Sequence, residues 1–253
     1  MTANTCETEA IVLNTKDFGE SDRLISFYTE SAGKLRGIAK GARRSRKRFS
    51  NTFELCNLVE LGYRQKKAYT WIEACKLVEP HLSLRTEIER WGYAALLSEI
   101  VLEMTPEGEA QPELFSLLKA ALAQLTEDKD PINVVLLFLV RFLDIMGYLP
   151  ALDRCGVCRK PIEEATTWWW HTERGSLTCR EHRPGNAYLM LKLDLGTLVL
   201  MRQCRQLPLG RIWRLRILQE KKVPILYGLL DWVRNHIGKD LKSLKLLQQV
   251  QAM

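Results

Sequence analysis

Over the first eighty residues, hydrophobic and polar positions alternate in short runs. Residues 9–14 form a β-rich run around Ile11, Val12 and Leu13. Residues 22–29 place Leu24, Ser26 and Tyr28 on one face and Arg23, Ile25 and Phe27 on the other, with Gly19 and Gly33 at the ends. Residues 34–40 read as a third strand pinned by Leu35 and Ile38. Residues 53–63 set Phe53, Leu55, Val59 and Leu61 against Glu54, Cys56, Leu58 and Glu60, and residues 68–76 carry Tyr69, Trp71, Glu73 and Cys75. Five short strands with a long basic connection between the third and fourth predict a small closed barrel of the OB type.

From residue 82 the period lengthens to that of a helix. Residues 82–104 repeat apolar positions at Ile88, Trp91, Ala95, Leu96, Ile100 and Val101. Pro106 and Gly108 break the pattern, and residues 113–125 resume it with Leu114, Leu117, Leu118, Ala121 and Leu125. Residues 132–146 are apolar nearly all round, which predicts a central buried helix with Asp130 as its cap and Pro131 at its first position. Helical patterns return at 193–204 and 225–237, with Pro208 and Pro224 as breaks, and at 239–251. The fold class is α+β: an OB barrel over residues 1–80, then a helical domain over 81–253 with an insert at about 151–187.

Composition adds little until it is divided along the chain. The 253 residues carry a net charge of +7. Residues 1–80 contribute +4, residues 81–150 contribute −6 and residues 151–253 contribute +9. The longest apolar run, Val134 to Val140, is far short of the ~18 residues of a membrane span. With no basic and apolar leader at the start, the expected location is cytoplasmic and associated with the nucleoid.

Basic residues concentrate in residues 34–48, where eight of fifteen positions are Lys or Arg and none is acidic. Self-repulsion keeps such a loop open until a polyanion neutralises it. Lys34, Arg36, Lys40, Arg43, Arg44, Arg46, Lys47 and Arg48, with Arg64 and Lys66 nearby, are the candidate phosphate contacts. Tyr63, Tyr69 and Trp71 are either stacking platforms or packing residues. A second cluster, Arg202, Arg205, Arg211, Arg214, Arg216, Lys221 and Lys222, alternates with apolar residues and suits a nucleic-acid strand or an acidic protein tail. The carboxylates Glu7, Glu9, Asp17, Glu20 and Asp22 cap turns or solvate strand ends; as a Mg²⁺ site their spacing is too loose.

Seven cysteines in a chain without a secretory leader point to metal rather than disulfides. Cys155 and Cys158, two residues apart, are followed twenty residues later by Cys179 and His182, again two apart. Two thiolates at that spacing on a tight turn bite one metal, and Gly156 eases the turn. Two such knuckles on facing hairpins complete a Cys3His tetrahedron around one structural Zn²⁺ with no open position for a catalytic water. His171 is the alternative fourth ligand. Between the knuckles lies Trp168-Trp169-Trp170, whose alternation packs the small hairpin from both faces or lends one ring to a nucleic acid.

These stretches resemble the RecO family of bacterial recombination mediators. EAIVL (9–13), GESDRL (19–24) and AKGARRS (39–45) are similar to its N-terminal pattern, and GYLP (147–150) leading to the first cysteine pair to its central one. HIGKDLKSLK (236–245) is similar to its C-terminal pattern, so the resemblance spans the chain. His182 stands where many zinc-bearing members have a cysteine. The resemblance implies an OB barrel, a helical region and a zinc segment. It implies a non-enzymatic role in recombinational repair through the RecF pathway. Such proteins bind single- and double-stranded DNA, anneal complementary strands and, with RecR, load RecA onto DNA coated by single-strand-binding protein, whose acidic C-terminal tail they recognise. Nuclease-like or ligase-like chemistry and an RNA-binding adaptor are the competing readings; the chain has no Walker A, His-Glu-x-x-His or Gly-x-Ser-x-Gly pattern.

Overall fold

The computed structural model describes residues 5–45, 48–66, 69–162, 167–171, 175–183, 185 and 190–251. Five strands open the chain: β1 (Cys6–Phe18), β2 (Asp22–Thr29), β3 (Gly33–Ala39), β4 (Leu58–Lys66) and β5 (Tyr69–Glu79). They close in the order β1-β2-β3-β5-β4. β1 pairs with β2 from Ala10 to Phe18 and with β4 from Cys6 to Ile11, with an irregularity between Val12 and Asn14. That bulge lets one thirteen-residue strand bend and serve both neighbours. β3 meets β5 in parallel at Ile38 and Trp71, the contact that closes the barrel. Ala10, Val12, Ile25, Phe27, Leu35, Phe49, Phe53, Val59, Leu61, Tyr63 and Ile72 fill it. Each large apolar side chain buried in this way contributes about 1.5–3 kcal/mol. Tyr63 is therefore barrel core and not a stacking platform.

The fourth strand starts five residues later than the alternation predicts. Asn51 (φ 55°) and Cys56 (φ 66°) are left-handed, and the Asn57 side chain donates to the carbonyls of Asn51 and Thr52 at 2.8 and 3.2 Å. The side-chain amide thus holds residues 51–57 as a turn, while Phe53 still reaches the core.

Helix α1 (Ile88–Met104) follows a short 3₁₀ turn at Leu82–Arg85, so the predicted helix from residue 82 begins at Ile88. Left-handed His81 (φ 45°) precedes the turn, and burial lowers its pKa against the opposing pull of Glu79. Helix α2 (Pro112–Glu127) lies where the stripe places it. Gly33 has φ 62°, and a Cβ there would lie 1.9 Å from the carbonyl oxygen of Glu109. Only glycine allows both the left-handed turn and the passage of residues 107–109, whose Gly108 N–H donates to the Lys34 carbonyl at 2.9 Å.

Residues 1–127 and 241–253 form one compact unit, and residues 128–240 form the other. Helix α3 (Pro131–Ile145) is buried from Asn133 to Val140, as its uniform apolarity predicts. Asp130 is not its side-chain cap: the carboxylate is bonded to Lys222 instead. Strands β6 (Trp168–His171), β7 (Ser176–Thr178) and β8 (Met190–Leu193) form a sheet in the order β7-β6-β8. β8 takes Leu193, the first residue that the pattern assigns to a helix, and α4 (Leu195–Gln206) begins after Asp194, whose side chain accepts from the Thr197 N–H at 2.8 Å. The alternation at 211–217 is not a helix: α5 (Leu209–Ile212) stops after one turn. Pro224 does not break its helix, because α6 (Gln219–Ile237) runs through it on an exposed face. Finally α7 (Lys242–Gln251) returns to α1 in the first unit. Among the described residues no helix is long and apolar enough to cross a membrane.

Candidate nucleic-acid rim and metal centre

The basic stretch does not act as one loop. Lys34 sits on β3 with its ammonium donating to the Leu102 carbonyl at 2.8 Å, in the last turn of α1. Burial lowers its pKa. Lys34 is half-buried and is tied to the fold by this bond. Arg36 pairs with Glu107 at 3.2 Å on the surface. Arg43 pairs with Asp17 at 3.4 Å and reaches the carbonyls of Gly19 and Glu20, each at 3.3 Å. Arg44 is exposed. Arg48 lies over the Phe49 ring at 4.7 Å and donates to the carbonyls of Ile72 and Glu73. Arg64 stands 3.9 Å from Glu73, and Lys66 ends β4 opposite Tyr69. Arg46 and Lys47 lie outside the described residues.

Acidic residues organise this rim. Asp22 accepts from the Gly41 N–H and the Ser21 hydroxyl, both at 2.9 Å. The Gly41 hydrogen bond, followed by that of Ser21, lowers its pKa. Asp17 holds Arg43 and lies 3.7 Å from Arg23. The acidic residues at 17–22 thus fasten the β1–β2 turn to the start of the β3–β4 connection.

Aromatic residues complete the rim. Tyr69 is 59 % exposed, its ring 6.2 Å from that of half-buried Trp71. The Lys40 ammonium lies over Trp71 at 4.5 Å. Lys40, Arg48, Trp71, Ile72 and Glu73 line a cleft of about 390 Å³. Strand alternation places Tyr69 and Trp71 on one face, but only the barrel's closure shows that this face is the rim.

The second unit brings Cys155, Cys158, Cys179 and His182 together, their ligand atoms all within 4.8 Å of one another. The Cys158 and Cys179 sulfurs are 3.8 Å apart, and the Cys179 sulfur is 3.3 Å from His182 Nδ1. A tetrahedral Zn²⁺ with Zn–S bonds of about 2.3 Å needs sulfurs about 3.8 Å apart, so the donor set fits such an ion. The knuckles differ. The first is a tight turn closed by Cys155 N–H to the Lys160 carbonyl at 2.8 Å; the second rides on a 3₁₀ turn, Arg180–His182, and not on a hairpin. Arg159, with φ 63°, is the left-handed residue of the first turn. Gly156 contributes close packing instead, donating to the Leu177 carbonyl at 2.7 Å. Burial raises the Cys155 pKa, but the N–H groups of Cys158, Cys179 and Val157 outweigh it and bring the thiol to about 6. His171 is buried on β6 and does not join the cluster.

The second basic cluster is largely used internally. Lys222 is buried against Asp130 and Gln219, which removes it from any partner surface. Arg216 pairs with Asp128 at 3.0 Å, Arg205 with Asp144 at 2.9 Å, and Lys221 with Asp194. Arg202, Arg211 and Arg214 are exposed.

A five-stranded closed barrel with a basic, aromatic rim, followed by helices and a Cys3His cluster that could hold a metal ion, defines an OB-barrel protein with a candidate metal-binding segment. The family description "Recombination protein O N terminal" matches residues 1–81, and "Recombination protein O C terminal" matches residues 85–245. The "DNA repair protein RecO" of Syntrophobacter fumaroxidans (strain DSM 10017 / MPOB) is 63 % identical over 98 % of this chain and 99 % of its own. That of Syntrophus aciditrophicus (strain SB) is 33 % identical over 100 % of this chain and 98 % of its own, and that of Desulfatibacillum aliphaticivorans is 28 % identical over 96 % of each. The chain belongs to the RecO family of DNA repair proteins.

Proposed function

We propose that the chain is a recombination mediator that binds single- and double-stranded DNA at the barrel rim and anneals complementary strands. The observation that carries this reading is the convergence of Lys40, Arg48, Tyr69 and Trp71 at the rim, with Arg44 exposed on the adjoining β3–β4 connection. Two strands repel each other through their phosphates. A surface that holds one strand by its backbone and stacks some of its bases lowers that repulsion while other bases stay free to pair. The ion pairs of Arg36 and Arg43 do not oppose this, because exposed pairs are worth only about 0–1 kcal/mol and a phosphate replaces a carboxylate at small cost.

The Cys3His cluster holds one Zn²⁺ as a structural ion, cross-linking two turns that have little core of their own. With RecR, the protein loads RecA onto DNA coated by single-strand-binding protein, and exposed Arg202, Arg211 and Arg214 are the remaining candidates for contact with that protein's acidic tail. The place of action is the cytoplasm, at the nucleoid.

The test is single-strand affinity across a salt titration for Lys40→Ala, Arg44→Ala and Trp71→Ala. The two charge variants should each lower the slope of log affinity against log salt by about 0.7, and Trp71→Ala should weaken binding with the slope kept. Annealing of strands precoated with single-strand-binding protein should fall in parallel. Unchanged affinity in all three variants would remove the rim from the mechanism.

A further inference from the structure

Trp169 has no packing task of the kind its neighbours have. Trp168 and Trp170 are each 1 % exposed, and Trp170 lies 6.5 Å from the Trp232 ring of α6. Their cross-strand partners on β8 are Leu193 and Leu191, so these residues form the inner face of the sheet. Trp169 points the other way and is half-buried. Its cross-strand partners are Thr178 on β7 and exposed Lys192 on β8. Directly opposed residues share a face, so Lys192 stands beside the indole. From the turn that carries His182, the Arg183 guanidinium lies over the Trp169 ring at 5.4 Å. Arg180, on the same turn, is exposed.

We propose that this outer face of the metal-bearing sheet is a second contact for single-stranded DNA, with Trp169 as a base-stacking platform and Arg183 and Lys192 as phosphate ligands. The inference rests on the DNA-binding reading and extends it to the second unit. A large ring left half in water costs solvation, and a cation held over it recovers only part of that. An unpaired base supplies a second π face and brings a phosphate with it. On arrival the base takes the place of the guanidinium, and Arg183 turns to the flanking phosphate. Duplex DNA can meet the cations with its phosphates but buries its base faces and gains nothing from the ring. An acidic peptide satisfies the cations but leaves the indole unstacked. Glu181 is the one carboxylate on the Arg180–His182 turn. With Arg180, Arg183 and Lys192 the face stays net basic, so charge alone attracts any polyanion and the ring is the source of selectivity for unpaired bases.

The experiment uses the full, metal-loaded chain. Oligo-dT carrying 5-iodouracil is cross-linked by long-wavelength light, and the attachment sites are mapped by mass spectrometry. A cross-link should fall on the peptide containing Trp169, in addition to those at the barrel. Trp169→Ala should weaken oligo-dT binding at least five-fold, as expected for one stacked base, and leave duplex affinity unchanged. Trp169→Phe should restore most of the loss. Lys192→Ala, an exposed change that does not touch the inner face, should weaken single-strand binding two-fold or more and reports even if alanine at 169 loosens the sheet.

Cross-links confined to the barrel, with unaltered affinity in Trp169→Ala and Lys192→Ala, would overturn the proposal. So would variants that lose only the capture of an acidic peptide. Trp71→Ala is the internal reference. If it weakens binding and the Trp169 and Lys192 variants do not, the rim stands and this second contact falls. If none of them matters, both readings fall.

Discussion

His182 is the residue on which the metal centre turns. Its Nδ1 lies 3.3 Å from the Cys179 sulfur, while His171 is buried in β6 outside the cluster. A thiolate at position 182 preserves a four-donor set; a methyl group does not. Metal stoichiometry measured on the purified chain should therefore stay near one ion for His182→Cys and His171→Ala. It should fall well below one for His182→Ala, with affinity lost by ten-fold or more. The ligand spacing was plain in the sequence because it is local. The fates of Lys34 and Lys222 were not. Each reads as surface charge, and each is claimed by a group remote in sequence: the Leu102 carbonyl and the Asp130 carboxylate. The buried Lys222 ammonium is tolerated only with such a partner, the half-buried Lys34 is held by its own, and local periodicity carries no record of either.

At the scale of elements, five strands and most helices followed from period alone, because amphipathic faces declare their own geometry. What failed were the boundaries set by side chains acting on the backbone. Asn57 turns residues 53–57 out of the expected strand, and Asp194 starts α4 two residues late, leaving Leu193 to β8. The docking of α7 on α1 was also silent. Gly92 lets the helices approach so closely that a Cβ there would lie 2.4 Å from Leu247 Cδ2. Glu99 of α1 accepts from the N–H groups of Lys242 and Ser243, at 3.0 and 2.9 Å, and so caps α7 across the interface. Gly92→Ala should destabilise the first unit by about 1–3 kcal/mol through overpacking. Leu247→Ala should cost about 2–5 kcal/mol through the cavity it leaves. The double variant should lose clearly less than the sum, because the smaller side chain at 247 makes room for the new methyl. Urea unfolding of the four proteins checks this, and strict additivity would show that the two positions do not share the contact.

For the whole molecule, the division into two units predicts how it responds to loss of metal. The cluster lies within residues 128–240, and the barrel belongs to the other unit. Chelation should raise amide exchange around residues 155–160, 168–171 and 176–182, where a three-stranded sheet depends on the two turns. Exchange of β1 to β5 should be nearly unchanged. Equal loss of protection in the barrel would show that the ion stabilises both units.

The return of α7 has a consequence for the order in which the protein is made. A ribosome delivers the chain from residue 1 onward, so the barrel, α1 and α2 emerge first. Residues 241–251 arrive only after all of residues 128–240 have been synthesised. Until then Gly92 of α1 lacks its contact with Leu247, and the first unit waits on the second for its last helix. A nascent chain that stalls between the two leaves Gly92 and the Glu99 carboxylate of α1 without their α7 partners.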